Sequence, residues 1–216
     1  MLKTNASNVN SAQLPQVTFA TLPSAVGNSG VQYLVTDAAF DAPGIVVISN
    51  NVRWKPLNGR ARLKTLTAPQ TLTNVNTIYL QFHAPAALFL TGDLLEATAT
   101  GEKSGTTNTA TQHLYIGTAG TTADADILNG VSAIGTTGQG FGGTRAILLK
   151  SATSAQAIGG TGGCGSYSTT GLTGSPLAAV TIPNVSNSLF VSMSMPLNGA
   201  TDTIALESAY IDWVTP

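Results

Sequence analysis

The chain has 216 residues, is 43% hydrophobic and only 9% charged, and carries nine Lys and Arg against ten Asp and Glu. That length supports one sizeable core, or one core with a small appended module, and the apolar fraction excludes an intrinsically disordered chain. A formal net charge of −1 excludes binding to nucleic acid through a broad basic surface.

Thr occurs 31 times and Gly 23 times, concentrated between and within short β-branched runs. Thr suits half-buried pleated surfaces and Gly suits turns and bulges, so the composition reads as all-β with loops. Sparse charge gives weak colloidal repulsion. Such a surface suits residence in an assembly, or else a monomer kept soluble by Thr, Asn and Ser. One cysteine, Cys164, excludes an internal disulfide framework and a multi-cysteine metal site. The start Met-Leu-Lys-Thr-Asn-Ala lacks the apolar stretch of a secretory signal, and synthesis in the cytoplasm is expected. The longest apolar run, Ala84 to Leu90, is interrupted by Pro85 and is too short for a membrane span. No membrane insertion is expected.

Residues 1–16 are polar and without period, which fits a frayed end or an extended arm lying on a neighbour. Residues 17–66 are expected to form a small β-module. Val31 to Val35 alternates, Gly44 to Ser49 is a compact β-branched run, and Val52 and Trp54 alternate with Arg53 and Lys55. Asn50-Asn51 tolerates the positive φ of a tight turn between the last two. Pro56 cannot donate to a ladder, so the third strand is expected to end or become an edge there. From Arg60 the chain alternates again, with Arg60, Arg62 and Lys64 on one face and Ala61, Leu63 and Thr65 on the other. Arg53, Lys55, Arg60, Arg62 and Lys64 thus form a basic group with no carboxylate among the intervening residues. They fit either contact with an acidic partner or an edge strand that uses cations to block further pairing.

Residues 67–216 are expected to form an antiparallel β-sandwich of jelly-roll type. Strand signals recur at Thr77 to Ala84, Leu88 to Thr98, Thr111 to Gly117, Arg145 to Ser151, Ala178 to Ile182, Ser188 to Pro196 and Thr203 to Val214. Strict alternation in the last strand puts Ile204, Leu206 and Tyr210 on one face and Ala205, Ala209, Ile211 and Trp213 on the other. A strand apolar on both faces is covered on both faces, by a second subunit or by the small module. Trp54, Tyr210, Ile211 and Trp213 are therefore the candidate interface residues.

Thr21-Leu22-Pro23-Ser24-Ala25, Gly27-Asn28-Ser29-Gly30, Val35-Thr36-Asp37-Ala38 and Val52-Arg53-Trp54-Lys55-Pro56-Leu57-Asn58-Gly59 occur in that order. With the closing Asp202-Thr203-Ile204-Ala205-Leu206-Glu207-Ser208, this combination resembles tailed-bacteriophage virion structural proteins: tail-fibre, head-fibre and minor structural proteins with a C-terminal β-sandwich. The resemblance covers about residues 17–64 and 186–214. It implies a place on the surface of a phage particle, on tail or head, and a homotrimer.

Motifs that suggest chemistry weaken on inspection. Gly138 to Gly143 and Gly160 to Gly165 both satisfy G-x-G-x-x-G, yet neither follows a strand and opens a helix. They are expected to be loops. Asp124-Ala-Asp126 lacks the distal ligands of an EF-hand. His83 and His113 have no Cys, Asp or Glu at ligand spacing in their own strands. Asp93 and Glu96 stand three apart and face opposite ways in a strand, and Cys164 has no nearby base. No catalytic residue, metal site or cofactor is expected. The function expected is a non-enzymatic virion surface protein. Its N-terminal region would attach it to other virion proteins, and loops around 101–110, 119–143 and 159–175 would meet a host glycan or receptor. The alternative is a capsid decoration or head-fibre protein bound to the major capsid protein.

Overall fold

The computed structural model describes residues 14–36, 44–106, 110–128, 132–134, 139–162 and 178–216. Most of the expected N-terminal arm, Cys164 and the greater part of loop 159–175 lie outside the described residues.

A four-stranded sheet comes first: β1 (Gln16–Val17), β2 (Gln32–Val35), β3 (Ile45–Ser49) and β4 (Trp54–Pro56), in spatial order β1-β2-β3-β4. The first pair is parallel and the other two are antiparallel. Asn51 takes a φ of 71° in the turn between β3 and β4. Pro56 ends β4, the edge strand, where its missing N–H disturbs no ladder.

The rest is a sandwich built from β5 (Arg60–Thr65), β6 (Gln70–Leu72), β7 (Ile78–Ala84), β8 (Leu94–Ser104), β9 (Ala110–Gly117), β10 (Ala125–Asp126), β11 (Ser132–Ile134), β12 (Gln139–Ser151), β13 (Ser154–Gly162), β14 (Val180–Thr181), β15 (Leu189–Ser194) and β16 (Thr203–Val214). The large sheet runs β14-β13-β12-β8-β16-β5, with β6 also on β16. The smaller runs β10-β9-β15-β7, with β11 also on β9. Taking β5-β16-β8-β12 against β7-β15-β9-β10 and leaving β6 aside, these strands change sheet at each step from β5 to β7, to β8 and to β9. The chain changes again between β15 and β16. That connectivity is a jelly roll, with the β13–β14 pair as an extension of one edge.

Arg60–Thr65 was expected within the small module. It pairs instead with β16 and closes one edge of the large sheet. Its alternation explains the placement: Ala61 and Leu63 enter the sandwich core, while Arg60 and Lys64 stay exposed.

The last strand departs from strict alternation in an instructive way. Leu206 pairs with Gly101 and Ser208 with Thr100, so Glu207 is an extra, bulged residue. The bulge shifts the phase by one, and Ile204, Leu206, Ala209, Ile211 and Trp213 are all buried in one core. Five of the seven residues read as two apolar faces therefore share one face, and Ala205 and Tyr210 lie on the other. Opposite this region, a Cβ on Gly101 would stand 2.3 Å from the Ala205 carbonyl oxygen, so only glycine allows the approach.

The glycine-rich segments also correct an expectation. Gly140, Gly142 and Gly143 lie in β12, and Gly160 and Gly162 lie in β13. Those of β12 pair with β8, and those of β13 pair with β12, as in Gly143 with Gly162, so these parts are strand rather than loop.

Candidate functional site

The junction between the small sheet and the sandwich is held by a buried carboxylate. Asn50 Oδ1 accepts the N–H groups of Val52 and Arg53 at 3.1 and 2.9 Å, shaping the turn that delivers Arg53. Arg53 Nη1 donates to Asp93, which is fully buried. Asp93 also accepts Leu90 N–H and Trp213 Nε1–H, each at 3.0 Å. Trp54 Nε1 donates to the Pro23 carbonyl at 2.6 Å and binds the small sheet to its own leading segment. Between the two units lies a groove of about 370 Å³ whose walls include Phe19, Leu22, Pro23, Val52 and Leu88. Ala87 borders it with a φ of 60°, a left-handed conformation unusual for a residue with a Cβ.

The basic group does not form an open patch. Arg60 and Arg62 both bind Asp212, Arg60 Nη2 at 2.8 Å and Arg62 Nε at 2.9 Å, and Arg60 also pairs with Glu96. The hydrogen bond to Asp212 is the chief reason the Arg60 guanidinium holds its proton above the ordinary value. The Arg62 guanidinium lies 3.6 Å over the ring of Tyr210. Lys55 Nζ donates to the Pro216 carbonyl at 3.2 Å. Lys64 stays exposed on β5. The missing carboxylates come from distant strands, so Arg53, Arg60 and Arg62 are satisfied within the chain.

The candidate interface residues are likewise placed inside one chain. Ile211 and Trp213 are fully buried, and Trp54 is 7% exposed. Trp213 packs edge-on against Phe89, and Trp54 edge-on against Tyr33. Tyr210 faces outward beneath Arg62.

A second buried pair locks the loop after β8. Lys103 Nζ reaches Asp202 Oδ2 at 3.0 Å and donates to the Thr106 carbonyl at 2.7 Å. Asp202 Oδ1 accepts Thr106 N–H and Oγ1–H at 2.6 and 2.8 Å. The Thr106 backbone bond foremost, then Lys103, pulls the Asp202 carboxyl below its ordinary value, against burial. A lowered folded value means stability that is present above the unfolded value and lost as pH falls through the folded one. Urea midpoints should therefore drop on acidification below about pH 4. In Asp202→Asn that part of the acid limb should flatten; an unchanged limb would remove Asp202 from the acid response.

The outer face of the smaller sheet carries the remaining polar cluster. His113 Nδ1 lies 2.7 Å from Asp126 Oδ2, with the two side chains 18% and 22% exposed. The His113 ring stacks on Tyr115 with centroids 5.7 Å apart and planes within 5°. Asn76 Nδ2 donates to Tyr115 Oη at 3.3 Å. Ser194 stands directly opposite His113 in the β15–β9 register, is fully buried, and its Oγ has no hydrogen-bond partner. Farther along the sheet His83 stacks on Phe190 at 4.3 Å. Between the two stacks the 119–124 loop crosses the sheet. Asp124 accepts Ala119, Gly120 and Thr121 N–H groups at 3.2, 2.7 and 3.2 Å, and Gln81 Nε2 donates to the Gly120 carbonyl at 2.8 Å.

Ser194, His113 and Asp126 have the composition of a hydrolytic triad but not its geometry. Ser194 Oγ makes no bond to His113 and is shut off from solvent, so nothing activates it as a nucleophile. Asp93 and Glu96 are separated in role, one inside and one paired with Arg60. Among the described residues no group of three His, Cys, Asp or Glu side chains is placed to hold a metal ion. The sequence could not announce the His113 cluster, because Asp126 and Ser194 come from other strands.

No protein-family model matches the chain, and no curated protein does. Among solved structures, the CBM2 module of the evolved Dit of Lactobacillus casei BL23 phage J-1 aligns at a TM-score of 0.33 and 10% identity, over 92% of this chain and 94% of that one. A superposition that loose carries no residue-level comparison. None of the helices among the described residues is long and apolar enough to cross a membrane.

Proposed function

We propose that the protein is a non-enzymatic surface component of a tailed-bacteriophage particle, a homotrimeric tail fibre or receptor-binding protein attached through its N-terminal region. The observation that carries this reading is the ordered set of segments at 21–25, 27–30, 35–38 and 52–59. The parts of that set described by the structure fall in and around one small sheet, clamped to a jelly roll through Arg53, Asp93 and Trp213. A rigid base with binding loops on a β scaffold suits a protein fixed at one end and exposed at the other. The groove beside Trp54 and Leu88 lies at the attachment end of this arrangement.

Immunogold electron microscopy of purified particles tests the reading. Label at the tail tip, together with block of phage adsorption by the isolated protein, is the expected result. Label on the head without competition would replace it by a capsid decoration protein bound to the major capsid protein. Absence from particles would overturn both. Light scattering of the purified chain should give a trimer.

A further inference from the structure

We infer that the groove between the small sheet and the sandwich takes an extended apolar segment of another virion protein, held on Arg53 by a Glu or Asp side chain of that segment; the inference rests on the attachment reading above and names the partner's chemistry. The groove has a volume of about 370 Å³, at the small end of the range for sites that seat a ligand. Phe19, Leu22, Pro23, Val52 and Leu88 give it apolar walls, and among the described residues that line it only Arg53 is charged. Arg53 commits one nitrogen, Nη1, to Asp93. Its Nε and Nη2 have no hydrogen-bond partner among the described residues, yet neither is closed off from solvent. A guanidinium is a planar fork of five donors, so these two remain for an acceptor from outside the chain. The side chain is 11% exposed, so an acceptor meets them where water is scarce and a charge-assisted bond is strong.

Exposed apolar side chains mark the same end of the molecule. Of the five large hydrophobic residues exposed among the described residues, Val26, Val31, Val52 and Leu57 belong to the small-sheet unit. Gly27 N–H donates to Asn51 Oδ1 at 2.7 Å, which holds the turn carrying Val26 against the turn carrying Val52. These two are 66% and 70% exposed, and Val52 is itself part of the groove wall. Uncovered apolar surface of this kind marks a contact with a partner. Charge selects the occupant. A cation with spare donors and no acid in the wall around it calls for a carboxylate. A chain terminus is captured by backbone N–H groups, whereas the free donors here belong to a side chain, so the acid is a Glu or Asp side chain. A second copy does not supply it. Among the described residues the exposed acids are Glu102 and Glu207, which lie in β8 and β16, inner strands of the large sheet, where neither can enter a groove.

Short blocked peptides built from Leu, Val and Pro around one Glu, titrated by calorimetry against the full chain beside the same peptides with Gln, test this. The Glu peptides should bind, and amide chemical shifts should move at Val52, Ala87 and Leu88, which line the groove. The Gln peptides should bind more weakly by about tenfold or more, and the preference should shrink as salt rises. Val52→Glu puts a like charge on the exposed rim, so it should remove binding of the Glu peptides and leave the melting curve unchanged. Arg53→Lys keeps a charge facing Asp93 but not the planar fork, and it should lose the preference for Glu. If that variant melts early, Val52→Glu decides the matter. Lys64→Ser, on β5, should leave affinity unchanged. No binding, equal affinity for the Glu and Gln peptides, or wild-type affinity in Val52→Glu overturns the site. Self-association that Val52→Glu abolishes also overturns it, because a second copy then fills the groove. An unbound panel with a protein labelled on particles sinks only this inference; peptide binding by a protein absent from particles sinks only the virion reading.

Discussion

Replacing Asp93 with alanine should lower stability by about 3–5 kcal/mol, the range for removing one partner of a buried ion pair. For a domain of this size that corresponds to roughly 6–20 °C in Tm. Three donors lose their acceptor at once: the Arg53 guanidinium, the Leu90 N–H and the Trp213 indole. Arg53 is only 11% exposed, so its charge cannot simply turn to water. Two of the donors belong to the sandwich and one to the small sheet, so the effect should be uneven. Amide exchange in β3 and β4 should accelerate more than in β8, because only the small sheet loses its ionic tie. Pairing Asp93→Asn with Arg53→Gln should recover part of the loss, since neither charge is then left alone. A wild-type melting curve for Asp93→Ala would show that the clamp contributes nothing and would leave the small sheet without its ionic tether.

Local pattern carried far in this chain, and its failures share one cause. The alternation at Leu189 to Ser194, the strand at Thr203 to Val214 and the turn at Asn51 all follow from neighbours in sequence, and the structure has each of them. Partners brought by the fold were invisible. Asp212 lies 150 residues from Arg62, and no local spacing links them. The three arginines of the basic group therefore looked unpaired when they were not. Glycines 140, 142 and 143 discourage a strand by propensity, yet β8 beside all three, and β13 across from Gly143, impose one. His113 and Asp126 stand 13 residues apart in sequence, and the antiparallel pairing of β9 with β10 brings them into contact. The aromatic residues were legible as core or interface only once the phase of β16 was known. A single inserted residue decided that phase.

Deletion of Glu207 should prevent the chain from folding, whereas Glu207→Ala should change stability by no more than about 0.5 kcal/mol, as surface substitutions generally do. The side chain is exposed, so its removal alone disturbs little. The backbone position is another matter. Without it, the segments on either side of the bulge can no longer both keep their present faces. If Ile204 and Leu206 stay inside, then Ala209, Ile211 and Trp213 turn outward and Tyr210 and Asp212 turn in. Burial of Ile and Trp side chains is worth about 2–5 and 3–5 kcal/mol respectively by truncation, and a typical domain has only about 5–15 kcal/mol in total. The register slip would also carry Trp213 away from Asp93 and Asp212 away from both arginines. Far-ultraviolet circular dichroism and soluble yield of the deletion, set beside Glu207→Ala, read the outcome. A folded deletion variant with native stability would mean that β16 does not need its bulge, and the single core described for Ile204 through Trp213 would have to be redrawn.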